Sequence, residues 1–273
     1  MKNSIMLYKF LGLSALIAAI AIACNPYQKW NSLEFYSVEK SDAYSLPVSQ
    51  DTDKDFSALH ETNMREMDVK VDMQFVKSAN IANDIICQHI NSQILDLLLK
   101  QPSSTSIEEA IENFIADEKK DFASDPMTMT YYDHITSHGE YGMNGIINYW
   151  HTQEVFTGGA HPSTTTTILR FATETGQFVS FDQVFPLTSN KRLKEVLLGK
   201  LMQLNNVSTL DELNDLGYLE MMDMFASKNF SLEADSVIFY YNEYDIAPYA
   251  FGPCQLAISY DELKDIINPA FLN

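Results

Sequence analysis

The residues best suited to chemistry lie in a short glycine-rich stretch, Phe156 to Pro162. Gly158 and Gly159 allow backbone conformations with positive φ at little cost, and Pro162 adds rigidity. His161 is displayed just before the proline, and an imidazole can bind a ligand or exchange a proton near neutral pH. Two interpretations stay open. The stretch is only a tight connection in which His161 closes the turn, or it presents His161 to a ligand.

An enzymatic interpretation would make His161 a general base oriented by Glu154 or Asp182, which requires a partner within hydrogen-bond reach. The sequence contains no G-x-S-x-G motif, no H-E-x-x-H motif and no glycine-rich phosphate loop. His134 and His138 lie on a predicted strand, where four residues span about 13 Å, too far for one metal ion. The sequence therefore favours a binding protein over an enzyme, and it offers no catalytic residue, metal site or cofactor.

A second stretch of interest runs from Phe239 to Pro253 and is rich in tyrosine. Its rings either fill the edge of a core with their hydroxyls in water, or form an exposed platform for a sugar or a protein. Both interpretations stay open. The predicted binding residues of the two stretches are Gly158, Gly159, His161, Tyr244, Tyr249 and Phe251.

Hydrophobic patterns place these stretches within an α+β fold of antiparallel sheets with packed helices. Residues 145–156 and 67–75 alternate with period two, which predicts strands, and 163–171 is a third run that favours a strand. Residues 79–99 have helical periodicity with Ile81 and Ile85 on the apolar face. Ser106, Thr209 and Ser259 have the spacing of helix caps. Further strands are predicted at 33–45, 131–138, 230–232, 237–241 and 255–258, and further helices begin at residues 106, 188 or 189, 209 and 259.

The first residues have the pattern of a secretory signal: Lys2 and Lys9, then an apolar run, then small residues. Cys24 follows directly and resembles the cysteine of the bacterial lipobox, although Ala21 stands where leucine is commonest. This resemblance implies cleavage before Cys24 and a lipid on its sulfur. We therefore expect a signal peptide at 1–23, a lipidated tether at 24–32, and a protein held on a membrane of the bacterial cell envelope outside the cytoplasm.

The chain is strongly acidic, with 37 Asp and Glu against 18 Lys and Arg and a net charge of −19. Removal of the signal peptide takes away Lys2 and Lys9 and no acid, so the mature charge is −21. This charge argues against nucleic-acid binding and would steer a cationic protein toward the surface. Cys87 and Cys254 are far apart in sequence and lack C-x-x-C spacing, which favours free thiols.

Two motifs then resemble a known family. Thr157 to His161, followed by the hairpin and helix, and Tyr244 to Ala250 with Gly252, resemble the RsiV-type extracytoplasmic domain, the lysozyme-binding part of an anti-sigma factor. Residues 33–125 resemble the module that begins PdaC-type peptidoglycan deacetylases. The resemblance implies two consecutive modules, 33–125 and 126–273.

The same resemblance implies an extracytoplasmic binding role, with a lysozyme-like cationic protein or a cell-wall glycan as partner. The lipobox, in place of a cytoplasmic segment and membrane span, argues against sequestration of a sigma factor. The metal-binding Asp and paired histidines of the deacetylase domain are not found in the sequence. An envelope hydrolase using His161 and a purely structural envelope lipoprotein are the alternatives.

Overall fold

The computed structural model describes residues 33–48, 64–102, 106–143, 145–219 and 223–272. The expected signal peptide, the tether and Cys24 lie outside the described residues. The strands are β1 (Leu33–Pro47), β2 (Met64–Ser78), β3 (Thr130–Tyr141), β4 (Ile146–Phe156), β5 (Ser163–Ala172), β6 (Phe230–Leu232), β7 (Ser236–Tyr241) and β8 (Cys254–Ser259). The α-helices are α1 (Asp84–Leu99), α2 (Ile107–Ser124), α3 (Phe181–Val184), α4 (Asn190–Leu204), α5 (Leu210–Asp215) and α6 (Tyr260–Leu263).

Two sheets form the framework, which confirms the predicted α+β class. Strands β1 to β5 make one sheet in sequence order, and β6 to β8 make a smaller antiparallel sheet. Within the large sheet the pairing is antiparallel, except that β2 and β3 run parallel. The parallel pair is possible because α1 and α2 connect the two strands, and parallel neighbours need such a long crossover. The large sheet therefore combines β1 and β2, which precede the two helices, with β3 to β5, which follow them.

Helices α1 and α2 cover one face of the large sheet. Alternate residues of β2, such as Val69 and Met73, are fully buried in this first core, as the period-two pattern predicts. The prediction for the start of the first helix was wrong: Ile81 and Ile85 are 84% and 77% exposed. Residues 81–83 form a 3-10 turn before α1, and the buried side of α1 is lined by Cys87, Ile90, Ile94, Leu95 and Leu99.

The small sheet is attached to the opposite face of the large one. Ile147 and Tyr149 point into the first core, so Asn148 between them points to the other face. The Asn148 side chain is fully buried and pairs with a β6 backbone, accepting from Leu232 N at 2.9 Å and donating to Leu232 O at 3.0 Å. A side-chain amide thus replaces a strand-to-strand pair where the sheets meet.

The buried Arg170 side chain also joins the two sheets. The Arg170 guanidinium donates to Phe230 O at 2.6 Å and to Val179 O at 3.1 Å, and it lies 3.8 Å over the Phe230 ring. Burial lowers the pKa of Arg170 to about 9. The second hydrophobic core lies between the small sheet and helices α4 to α6.

The predicted helix starts are confirmed at three places. The Ser106 hydroxyl accepts from Glu109 N, and Thr209 and Ser259 form reciprocal caps with Glu212 and Glu262. The last α-helix is a single turn, because α6 begins at Tyr260 and ends at Leu263. Cys87 and Cys254 are both free thiols.

Candidate functional site

The glycine-rich stretch forms the loop between β4 and β5, as predicted. Gly158 and Gly159 have φ of +92° and +112°, in the region that side-chain-bearing residues avoid. A Cβ atom added at either position would meet nothing within 4 Å. The two glycines are therefore required for backbone conformation rather than for space, and the turn they form leaves His161 exposed.

His161 contacts the tyrosine-rich stretch. Its ring stacks on Tyr249, with centroids 3.7 Å apart and planes 15° apart. Nδ1 lies 2.8 Å from Pro162 O, and a carbonyl only accepts, so Nδ1 carries the proton of the neutral ring. Nε2 then accepts from the Tyr244 hydroxyl at 3.3 Å. Both nitrogens thus have partners, and neither partner is the carboxylate of Glu154 or Asp182 that a general base was expected to use.

Tyr244 is held in a strained backbone conformation. Its φ is +68°, in the left-handed region, where a non-glycine residue costs about 1 to 2 kcal/mol. The turn is closed by Asp245, whose carboxylate accepts from Asn242 N at 2.7 Å. The Tyr244 side chain is 59% exposed and lies 5.8 Å from the Tyr249 ring. Strain at an exposed aromatic residue is typical of binding sites, because packing gains nothing from it.

Asn242 attaches this turn to the large sheet. Its side chain accepts from Thr166 N at 2.7 Å and donates to Thr166 O at 3.1 Å, on the outer edge of β5. Asn229 does the same nearby: it accepts from Ile168 N at 2.6 Å and donates to Thr166 O at 2.7 Å. Two asparagine amides therefore occupy the edge where a sixth strand would pair.

More aromatic rings lie on the adjoining strands. Tyr132 of β3 stacks on Phe156 of β4 at 5.5 Å and on His134 at 4.7 Å. Its hydroxyl donates to Glu154 at 2.8 Å, and this hydrogen bond is the main cause of the raised pKa of Tyr132. The His134 ring in turn lies 3.0 Å from the Asp68 carboxylate.

The Glu154 carboxylate affects both the rings on the strands and the rings on the loops. Burial, Glu243, Tyr244 and Glu154 together raise the pKa of Tyr249. Glu154 thus affects the pKa of Tyr249 as well as that of Tyr132, so this one carboxylate lies within electrostatic range of both sets of rings. We call the six rings the aromatic cluster: Tyr132, His134, Phe156, His161, Tyr244 and Tyr249.

The structure brings together five of the six predicted residues. Phe251 lies apart from the aromatic cluster, because its ring packs edge-on against Tyr218 with centroids 5.0 Å apart. Sequence reasoning did not include Tyr132, His134 and Phe156 in the site. The available signal was their position on predicted strands that flank the loop, but only the register pairs Tyr132 with Phe156.

Two further features bear on chemistry at this face. His134 and His138 point from the same face of β3 but have separate partners, since His138 stacks on Trp150 at 6.2 Å. Across the described ranges, no three His, Cys, Asp or Glu side chains converge as a metal site. No helix among the described residues is long and apolar enough to cross a membrane.

Part of the chain is similar to a known protein family. Residues 184–261 match the family described as protein of unknown function (DUF3298). The match includes Tyr244 and Tyr249 and leaves His161 outside. Comparison with curated protein sequences finds no match.

Solved structures of the same family share the fold. A member of the DUF3298 family from Bacteroides fragilis NCTC 9343 is 22% identical, with 88% of this chain and 96% of that chain covered and a TM-score of 0.72. A DUF3298 family protein from Pseudomonas aeruginosa PAO1 is 15% identical, with 86% and 95% covered and a TM-score of 0.57. At these identities the likeness shows the fold alone, and the site has to be interpreted from its own geometry.

Proposed function

We propose that this chain is a lipid-anchored binding protein of the cell envelope whose aromatic cluster captures a cationic protein. The observation that carries the proposal is the stack of exposed His161 on Tyr249, completed by Tyr244. Two loops far apart in sequence meet there with their rings at the surface. Exposed aromatic rings supply large rigid contact areas and attract Lys and Arg side chains through cation–π interactions.

Charge supports a cationic partner. Glu154 and Glu243 lie close enough to Tyr249 to raise its pKa, so the rings are accompanied by negative charge. The net charge of −19 extends this attraction over the whole surface. Such a field speeds encounter with a basic protein and repels acidic ones. A lysozyme-like protein, the partner that the RsiV-type resemblance implies, has the required chemistry.

The stack of Tyr132 on Phe156 supports a second candidate, a peptidoglycan fragment. Sugar rings also pack on exposed aromatic faces, and the Glu154 carboxylate could accept hydrogen bonds from hydroxyl groups. Charge distinguishes the two ligands, because binding of a neutral glycan would depend little on salt while binding of a basic protein would weaken as salt rises.

The test measures binding of the soluble, unlipidated chain that starts at Asn25 to a lysozyme and to muropeptides, at low and high salt. Tyr249→Ala removes the ring under His161 and is expected to weaken binding tenfold or more, since central aromatic anchors cost about 2 kcal/mol when truncated. His161→Ala should act in the same direction.

Phe251→Ala is the matched control, because Phe251 is also an exposed aromatic residue, at 47%, but lies outside the aromatic cluster. Equal losses in Tyr249→Ala and Phe251→Ala would contradict the assignment of the site. Absence of binding to both ligand classes would refute the proposed partners.

The proposed location has its own test. Cys24 should incorporate a labelled fatty acid in living bacteria, and Cys24→Ala should abolish the label. An unlabelled wild-type protein would refute the lipid anchor and leave the binding proposal to stand on the aromatic cluster.

A further inference from the structure

The end of the large sheet at which the described chain begins lies far from the aromatic cluster. Leu33, the first residue of β1, pairs with Ser78 at the end of β2. Tyr132 of the aromatic cluster pairs with Asp68 of the same strand. Ten residues of β2 separate Asp68 from Ser78, which is about 33 Å at the usual rise per residue. Leu33 and the aromatic cluster therefore lie at opposite ends of the large sheet.

Large apolar side chains are exposed at the Leu33 end. Ile81 and Ile85 lie three and seven residues after Ser78 and are 84% and 77% exposed. Tyr141, at the end of β3, is 48% exposed and donates its hydroxyl to Leu33 O at 2.7 Å. An exposed tyrosine and two exposed isoleucines at one end of the sheet form the composition that favours a membrane interface, where Tyr lies among the headgroups and Ile enters the acyl boundary.

Three acids at this end each have a partner or a favourable position, and the first, Glu140 beside Tyr141, accepts from Trp150 Nε1 at 2.6 Å. Glu34 is accompanied by Lys77, with Nζ and a carboxylate oxygen 3.7 Å apart. Asp84 lies in the first turn of α1, where the helix dipole favours an acid. Glu154 and Glu243, the acids that act on Tyr249 in the aromatic cluster, are at the other end of the sheet.

We propose that Ile81, Ile85 and Tyr141 form a membrane-contact surface that rests on the bilayer holding the lipid of Cys24. The inference depends on the lipid anchor proposed above. Eight residues separate Cys24 from Leu33, a reach of about 30 Å at most, so the anchor keeps this end close to the lipid in every molecule. The bilayer is therefore always within reach of this surface, and contact with it directs the aromatic cluster away from the membrane.

The experiment uses the full lipidated chain with Cys87→Ala and Cys254→Ser, reconstituted in vesicles of phosphatidylethanolamine and phosphatidylglycerol. An environment-sensitive fluorophore is attached in the Ile85→Cys, Leu187→Cys or Ser163→Cys variant. Leu187 matches Ile85 in exposure, at 78%, and Ser163 begins β5 at the end that carries the aromatic cluster. Quenching is compared between vesicles with and without brominated acyl chains.

We expect several-fold quenching of the probe at position 85 and little at positions 187 and 163. Equal quenching at all three positions would overturn the proposal. Shielding of the probe at position 85 in the lipid-free Cys24→Ser protein would also overturn the proposal. If dilution removes this shielding, a second copy of the chain covers the surface; if the shielding persists, residues 25–32 cover it. Mass spectrometry of Cys24 separates the two failures: absence of lipid refutes the anchor and this inference together, whereas a lipidated chain without quenching refutes this inference alone.

Discussion

The Asn242 side chain attaches the turn that carries Tyr244 to the edge of β5, and removing that side chain should displace the site. Asn242→Ala takes away the acceptor of Thr166 N and one of the two donors to Thr166 O. Asn229→Ala takes away the acceptor of Ile168 N and the other donor to Thr166 O. Both edge residues of β5 are buried, at 6% and 2% exposure. The two substitutions are therefore matched in the backbone groups that they leave without partners.

The expected magnitudes follow from those groups. Each single substitution orphans one buried N–H, which costs about 1 to 3 kcal/mol, while Thr166 O keeps one donor. The double substitution removes both donors from Thr166 O. We therefore expect the double variant to lose about 1 kcal/mol more than the sum of the single variants. Urea unfolding of the four proteins measures this coupling.

The two single variants should differ in their effect on the site. His161 stacks 3.7 Å from the Tyr249 ring centroid, so its ring protons should have a strong upfield ring-current shift in NMR spectra. The shift should collapse in Asn242→Ala and persist in Asn229→Ala. Additive stabilities, or an equal collapse in both variants, would refute the argument that Asn242 positions the loop.

Three further predictions concern buried polar groups. Arg170→Ala should lower the free energy of unfolding by about 3 to 5 kcal/mol in urea titrations, because three backbone carbonyls lose their donor; a loss under 1 kcal/mol would contradict this. Burial lowers the pKa of His151 to about 4. The unfolded chain therefore binds a proton that the folded one does not, and stability should fall as pH drops from about 6.5 to 4, by roughly 3 kcal/mol in total; His151→Gln should remove this slope. Burial raises the pKa of Asp133 to about 6, so its charged form opposes folding above that pH. Asp133→Asn should stabilise the protein at pH 7 by roughly 1 to 3 kcal/mol in thermal and urea unfolding, and unchanged stability would show that the carboxylate is not desolvated.

Local patterns in the sequence determined most of the elements. Val69 and Met73 are buried because a strand directs alternate side chains to one face, and that alternation is visible in the sequence. Ser106, Thr209 and Ser259 begin helices because their hydroxyls accept from a backbone N–H three residues on, which is a local interaction. The loop of Gly158 and Gly159 was predictable for the same reason, since positive φ is a property of single residues.

Interactions between distant parts of the chain decided the rest. Ile81 and Ile85 fit a helical period, but the helix begins at Asp84 and its buried side depends on the sheet beneath it. The parallel pairing of β2 with β3 depends on how the two intervening helices cross, which periodicity does not encode.

The candidate site also depends on interactions between distant parts of the chain. Each loop by itself was ambiguous between a turn and a binding surface. His161 and Tyr249 meet because asparagine amides fix the small sheet and its turn on the edge of β5, through hydrogen bonds spanning more than sixty residues of sequence. Local residue patterns were enough to mark the two loops as candidates, whereas contact between the His161 and Tyr249 rings required the tertiary structure, because long-range hydrogen bonds and strand pairing bring the two loops together.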